Sequence, residues 1–255
     1  MDVLIVFGSK SDEKTYSIIA EGLKKAGISF KLRICSAHKT PDALNEILNS
    51  DAKIIIAGAG LAAHLPGVIA SKTIRPVIGV PCDINFGGLD AFLSIVQMPP
   101  GVPVLTVGVN KPRIAVKECI KILRKFSSIH LIGDKNNKVL KKAEDVITDF
   151  GIAYSVSKTA DAEKININFT KLGSKIKETS ALVIYCPVSD EQKPQDAIKM
   201  MQSAEQALWV GLNNASNAAI SAVELLNLDG KYANLLNENR KKSADKIKKD
   251  NEDLR

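Results

Sequence analysis

Apolar residues in the first half of the chain form short runs that alternate with stretches of three-to-four spacing. That is the pattern of βα units around a parallel sheet. Val3–Phe7 is an unbroken apolar run, as a strand covered on both faces requires. The next stretch carries Tyr16, Ile19, Leu23 and Ala26 on one helical face, with Asp12 placed to cap it and Gly27 to end it. Phe30, Leu32 and Ile34 alternate as a second strand, and Thr40-Pro41 offers an N-cap and a first-turn proline for a helix through about Leu48. Ile54–Ala57, Val77–Val80 and Val104–Val107 read as three further strands. Helices are expected after Pro66, around Leu89–Gln97 and over Pro112–Lys125.

The second half repeats this order in weaker form. Ile129–Ile132 runs into Gly133 as Val3–Phe7 runs into Gly8, and a helix to Gly151 follows as one to Gly27 does. Ala153–Val156 matches the second strand and Ala181–Cys186 the third. Val210-Gly211-Leu212-Asn213 matches Val107-Gly108-Val109-Asn110. The stretch from Cys186 to Ala207 is less than half as long as that from Ala57 to Val104, so a strand and a helix are expected to be missing there. The pattern predicts two tandem related domains, residues 1–126 and 127–255, with no long linker between them.

Of the 255 residues, 45% are apolar and 25% charged, which excludes wholesale disorder. No window approaches the length of apolar chain a membrane span needs, so no membrane partner is expected. The opening MDVLIVFGSKSD lacks a basic region and reads as a strand rather than a leader. Four cysteines without CxxC pairing or metal-ligand spacing suggest reduced thiols in a cytoplasmic protein. The net charge of +7 falls mostly in the first half, where 16 basic side chains face 10 acidic ones, against 19 and 18 in the rest. Scattered charge and few aromatics argue against nucleic acid as the partner, whereas a positive field suits a small phosphorylated substrate.

Three loops that follow strands carry the chemistry. Gly8-Ser9-Lys10-Ser11-Asp12 joins a tight turn, two hydroxyls and a helix N-terminus, and reads as an anion cradle or as a plain cap. Ser36-Ala37-His38-Lys39-Thr40-Pro41 packs a hydroxyl, an imidazole and an ammonium into four residues, enough to bind phosphate and move a proton at neutral pH. In Gly58-Ala59-Gly60-Leu61-Ala62-Ala63-His64-Leu65-Pro66-Gly67, small residues let a planar ligand approach the backbone. His64 reads as a ligand contact or as a helix cap. Gly58-x-Gly60-x-x-Ala63 imitates a dinucleotide fingerprint, but the first strand lacks one and no acid sits some twenty residues further on.

Taken in order, GSKSD, SAHKTP, GAGLAAHLPG, PVIGVP and GLDAFLSIVQMPPGVPV resemble the catalytic-subunit family of phosphoribosylaminoimidazole carboxylase (PurE), over residues 1 to about 110. The resemblance implies a flavodoxin-like three-layer αβα fold, an octameric assembly with sites at subunit interfaces, and no metal or organic cofactor. It implies formation of 4-carboxy-5-aminoimidazole ribonucleotide (CAIR) in purine biosynthesis. By motif, Ser9, Ser36 and Lys39 would hold the ribotide phosphate, Ser11 would be a further substrate-binding residue, Asp12 would hold the ribose hydroxyls, and His38 would be the general acid/base. Gly58, Ala59 and Gly60 would line the base and CO2 pocket, with His64 and Leu65 beside it.

Lys39 stands where the mutase branch of that family usually has arginine, as in the branch that carboxylates 5-aminoimidazole ribonucleotide directly; AAHLPG is the mutase form. The family's final-helix Asn-Ala-Ala is replaced by Ile114-Ala115-Val116 in the first half and returns as Asn217-Ala218-Ala219 in the second. Gly133-Asp134-Lys135-Asn136-Asn137 and Ser157-Lys158-Thr159 leave the second half without a histidine of its own at such a site. The expectation is an N5-carboxyaminoimidazole ribonucleotide mutase with a degenerate second copy, four chains supplying eight domains. Direct carboxylation by CO2 and a noncatalytic nucleotide-binding regulator are the alternatives.

Overall fold

The apolar runs become strands of one sheet in the computed structural model, which describes residues 1–254. In chain order the strands are β1 (Val3–Phe7), β2 (Phe30–Ile34), β3 (Ile54–Ala59), β4 (Val77–Pro81), β5 (Leu105–Thr106), β6 (Ile129–Ile132), β7 (Tyr154–Ser157), β8 (Ile165–Lys171), β9 (Val183–Val188) and β10 (Leu208–Trp209). Their order across the sheet is β2-β1-β3-β4-β5-β10-β9-β8-β6-β7. Neighbours run parallel except at the centre, where Trp209 of β10 lies antiparallel to Thr106 of β5. The expected parallel α/β architecture is present, but the two expected domains share this single continuous sheet.

Helices cover both faces. Alternate residues of β1 and β3 (Val3, Ile5, Phe7, Ile54, Ile56) meet α1 (Glu13–Lys25) and α5 (Pro112–Ile122). The same core continues under α6 (Lys138–Asp149) and α8 (Ala215–Leu226), so one apolar layer spans both halves. The opposite residues, Leu4, Val6, Ile55 and Ala57, meet α2 (Pro41–Leu48), α3 (His64–Ser71) and α4 (Leu89–Val96). On that same side α4 packs across the seam on α7 (Pro194–Ser203), with Phe92 and Val96 against Met200, Ala204 and Trp209. The chain closes with α9 (Ala233–Glu252), a mostly exposed helix. Among the described residues no helix is long and apolar enough to cross a membrane.

The strand order of the second half, read from its own edge, is β7-β6-β8-β9-β10, the counterpart of β2-β1-β3-β4-β5. This corrects the expected loss. No strand is missing: Ile165–Lys171 supplies the third one, and Val183–Val188 is therefore the fourth, paired as β4 is. The segment between Cys186 and Ala207 even keeps its helix, α7. What is absent are helices after β7 and β8, where the first half has α2 and α3.

The sheet face has changed to match. By register, His130 stands where the first half has Leu4, Asn166 where it has Ile55, and Asn168 where it has Ala57. With no helix above them, these positions take polar groups that a covering helix would have left unpaired. His130 is bound through Nδ1 to the Ser155 hydroxyl at 2.7 Å and through Nε2 to Ser157 at 2.9 Å and the Thr159 carbonyl at 3.0 Å.

Each half ends its last strand with the same device. Asn110 and Asn213 both take left-handed backbone (φ 52° and 56°). Each amide side chain accepts from the loop after the preceding strand, Asp83 N–H and Ser189 N–H respectively, both at 3.1 Å. The two halves press together here. A Cβ on Gly108 would lie 2.5 Å from the Ala204 carbonyl, and one on Gly211 would lie 3.0 Å from the Val96 carbonyl. Only glycine permits that approach.

Candidate active site

The carboxyl ends of β1, β2 and β3 open onto a cleft of about 470 Å³. Adjacent loops of a parallel sheet converge at such an edge. Ser9, Ser11 and Asp12 enter it from the first loop, Ser36, Ala37, His38 and Lys39 from the second, and Ala59, Gly60, His64 and Leu65 from the third. Gly58 does not reach it. A Cβ there would sit 2.2 Å from the Phe7 ring, so the missing side chain of Gly58 serves the packing of β3 on β1. Ile84, on the loop after β4, also lines the cleft and was not foreseen. It lies over Gly60, whose missing Cβ would meet Ile84 Cγ1 at 2.3 Å.

Two expected helix caps do other work. Asp12 occupies the N-cap position of α1 but makes no capping hydrogen bond. Instead the residue lies at the cleft, only 7% exposed, and burial raises its carboxyl pKa, partly offset by a hydrogen bond from the Ser9 backbone. Such a desolvated carboxylate is stabilised by hydroxyl donors from a ligand. Thr40 makes no cap for α2 either. Its hydroxyl accepts from Ser36 N–H at 3.0 Å and donates to the Ser36 carbonyl at 3.2 Å, closing the turn that carries His38.

The serines are set as donors. Ser9 Oγ accepts from Ser11 N–H at 3.1 Å and from the Ser11 hydroxyl at 2.8 Å, which leaves its own hydrogen free for a ligand oxygen. Ser36 Oγ accepts from Lys39 N–H at 3.2 Å with the same consequence. Two hydroxyl donors and the Lys39 ammonium then face one space, a neutralising set for phosphate. Beside it the His38 and His64 rings meet edge to face, centroids 4.9 Å apart. Leu61, half-exposed, lies in left-handed backbone (φ 56°), a strained conformation for a branched side chain that shapes the third loop.

A second concavity, of about 430 Å³, lies at the seam between the halves. Its lysines Lys111 and Lys117 are already paired with Glu205 and Glu178, which leaves Arg113 as the remaining cation on its wall. Among the described residues no cluster of histidine, cysteine and acidic side chains is arranged to hold a metal ion.

Fold and cleft define an α/β protein with an imidazole and an anion-suited donor set at the carboxyl edge of a parallel sheet. Residues 2–130 match the family model described as AIR carboxylase. The N5-carboxyaminoimidazole ribonucleotide mutase of Methanocaldococcus jannaschii is 51% identical over 122 residues, covering 48% of this chain and 78% of that one. The mutase of Saccharolobus solfataricus is 42% identical over 58% of this chain and 93% of its own. A probable mutase of Methanobrevibacter smithii aligns over 84% of this chain and 75% of its own at 31% identity. The chain belongs to the AIR carboxylase family.

Proposed function

We propose that the chain converts N5-carboxyaminoimidazole ribonucleotide to CAIR in purine biosynthesis. The observation that carries the reading is the convergence of Ser9, Asp12, Ser36, His38 and Lys39 on one cleft walled by Ala59, Gly60 and Leu65. Ser9, Ser36 and Lys39 hold the phosphate and Asp12 the ribose hydroxyls. As the bond from the exocyclic nitrogen to the carboxyl group breaks, that nitrogen takes up a proton. As the ring carbon bonds the freed CO2, it gives one up. One imidazole, His38, performs both transfers. The apolar wall keeps CO2 from escaping between the two steps.

The relatives named above are mutases, which favours transfer over direct carboxylation. Pure protein should form CAIR from N5-carboxyaminoimidazole ribonucleotide without added bicarbonate. CAIR formed only from 5-aminoimidazole ribonucleotide plus bicarbonate would make it a carboxylase, and binding without turnover would make it a regulator.

The second half, residues 127–255, is read as a degenerate copy of the catalytic half, residues 1–126. The repeated strand order and the paired Asn110 and Asn213 turns support this. It takes the place of a neighbouring subunit, so that four chains supply eight domains. Half-exposed Leu61 and Ile84 at the cleft, with 81%-exposed Phe86 two residues on, leave apolar surface for such an assembly to cover. Light scattering should give the mass of four chains, and titration should saturate at one ribotide per chain. A monomer, or two ribotides per chain, would defeat the arrangement. All four cysteines are buried and unpaired, which suits the reducing cytoplasm.

A further inference from the structure

We propose that Asn217, on a helix of the second half, is a positioning residue for the cleft of the first half. The inference rests on the mutase reading above. Asn217 is 1% exposed and spends its whole amide on one loop, the Met98–Gly101 stretch between α4 and β5. Its Oδ1 accepts from Gly101 N–H at 2.8 Å. Its Nδ2 donates to the Pro99 carbonyl at 3.0 Å and to the Met98 carbonyl at 3.3 Å. Asn214 assists: its Nδ2 donates to the Met98 carbonyl at 2.9 Å, while its Oδ1 accepts from Asn217 N–H at 3.1 Å and so caps α8. Gly211 lets the second-half backbone close on the start of the same loop, since a Cβ there would lie 2.6 Å from Gln97 Oε1.

The clamped loop carries the effect inward through one side chain. Met98 rests on α3 at Gly67, where an added Cβ would meet its sulfur at 3.0 Å and its methyl at 3.3 Å. It also packs against the apolar layer that includes Ala63, Leu65 and Ile69. The first residue of α3 is His64, whose ring meets His38 edge to face. A loop held at three backbone groups from the other half therefore fixes the helix that presents one of the two facing imidazoles. The phosphate and ribose groups Ser9, Asp12, Ser36 and Lys39 sit on other loops and are untouched by this route.

The test uses the full chain. Wild-type turnover of N5-carboxyaminoimidazole ribonucleotide is measured first, which judges the function reading by itself. Asn217→Ala and Met98→Ala should then each lower kcat on the order of tenfold or more, because small misplacements near reacting groups are amplified. KM should stay within about twofold. Met98→Leu, which keeps the bulk, should restore most of the rate. The double variant should lose no more than the worse single, since both act through one contact. Unchanged kcat in both alanine variants, a parallel rise in KM, or additive losses would overturn the proposal.

A second readout needs no turnover. The chain has only three histidines, so their ring signals separate by NMR. The His64 signal should shift in Asn217→Ala and in Met98→Ala, while His130 in the second half stays put. If Asn217→Ala does not fold, Met98→Ala carries both measurements, because its truncation leaves the Asn217 hydrogen bonds in place. An unmoved His64 signal overturns the route whether or not the enzyme reading stands.

Discussion

Replacing His38 by asparagine should cut turnover by about 10²–10⁴-fold, the usual loss when a general acid/base is removed. Ribotide binding should change little. The turn under His38 is held by Ser36 and Thr40 through bonds that do not involve the ring, so the variant keeps its loop. Ser9, Ser36 and Lys39 should still meet the phosphate. Asparagine has comparable size and hydrogen-bonding capacity but cannot take up and return a proton at neutral pH. Stopped-flow turnover, with binding measured separately by calorimetry, checks this. More than a tenth of the wild-type rate would remove His38 from the proton-transfer role. A full loss in His64→Asn with an active His38→Asn would move the role to the ring 4.9 Å away.

The first half was legible because its inner strands β1 and β3 open as unbroken apolar runs, its edge strand β2 alternates, and its candidate chemistry sits in the loops directly after them. Ser9, His38 and Lys39 are local in sequence and need only the parallel sheet to bring them together. The second half departs from the expected strand assignment for a physical reason. Ile165, Ile167 and Phe169 alternate with Asn166, Asn168 and Thr170, a period-two pattern whose polar face belongs to a sheet without covering helices. The first half's pattern, buried on both sides, set the wrong template for it. Ile84 was missed because nothing local in sequence says that the loop after β4 folds back over Gly60. Likewise the cap positions of Asp12 and Thr40 are legible in the sequence, but not that neither side chain caps its helix and that the Thr40 hydroxyl closes the Ser36 turn instead. The single sheet itself depends on two very short strands, β5 and β10, whose pairing no local signal announces.

That seam should make Lys121→Met severely destabilising. Lys121 and Glu118 have side chains only 7% and 2% exposed. The ammonium donates to Glu118 Oε1 at 2.8 Å and, across the seam, to the Thr179 and Ala181 carbonyls at 3.0 and 3.1 Å. Methionine fills similar space but supplies no charge and no donor, so two carbonyls lose their partner and Glu118 loses its counter-ion. Glu118 Oε2 is already buried without a hydrogen bond. Breaking a buried pair from one side costs about 3–5 kcal/mol, on the order of 10 °C in Tm for a chain of this size. The pH dependence has a definite sign. Burial holds the Glu118 carboxyl above its ordinary value of 4.5, and Lys121 pulls it back down. Without Lys121 it rises further, so the folded variant binds a proton that the unfolded chain releases. Its deficit relative to wild type therefore grows as pH rises from 4.5 toward neutrality, and shrinks as pH falls and the carboxyl becomes neutral. Urea unfolding at pH 5 and pH 8 should show this difference, and adding Glu118→Gln to Lys121→Met should flatten it. A deficit under about 1 kcal/mol, the ceiling for an exposed pair, or one independent of pH, would show that the buried pair does not hold the two halves together.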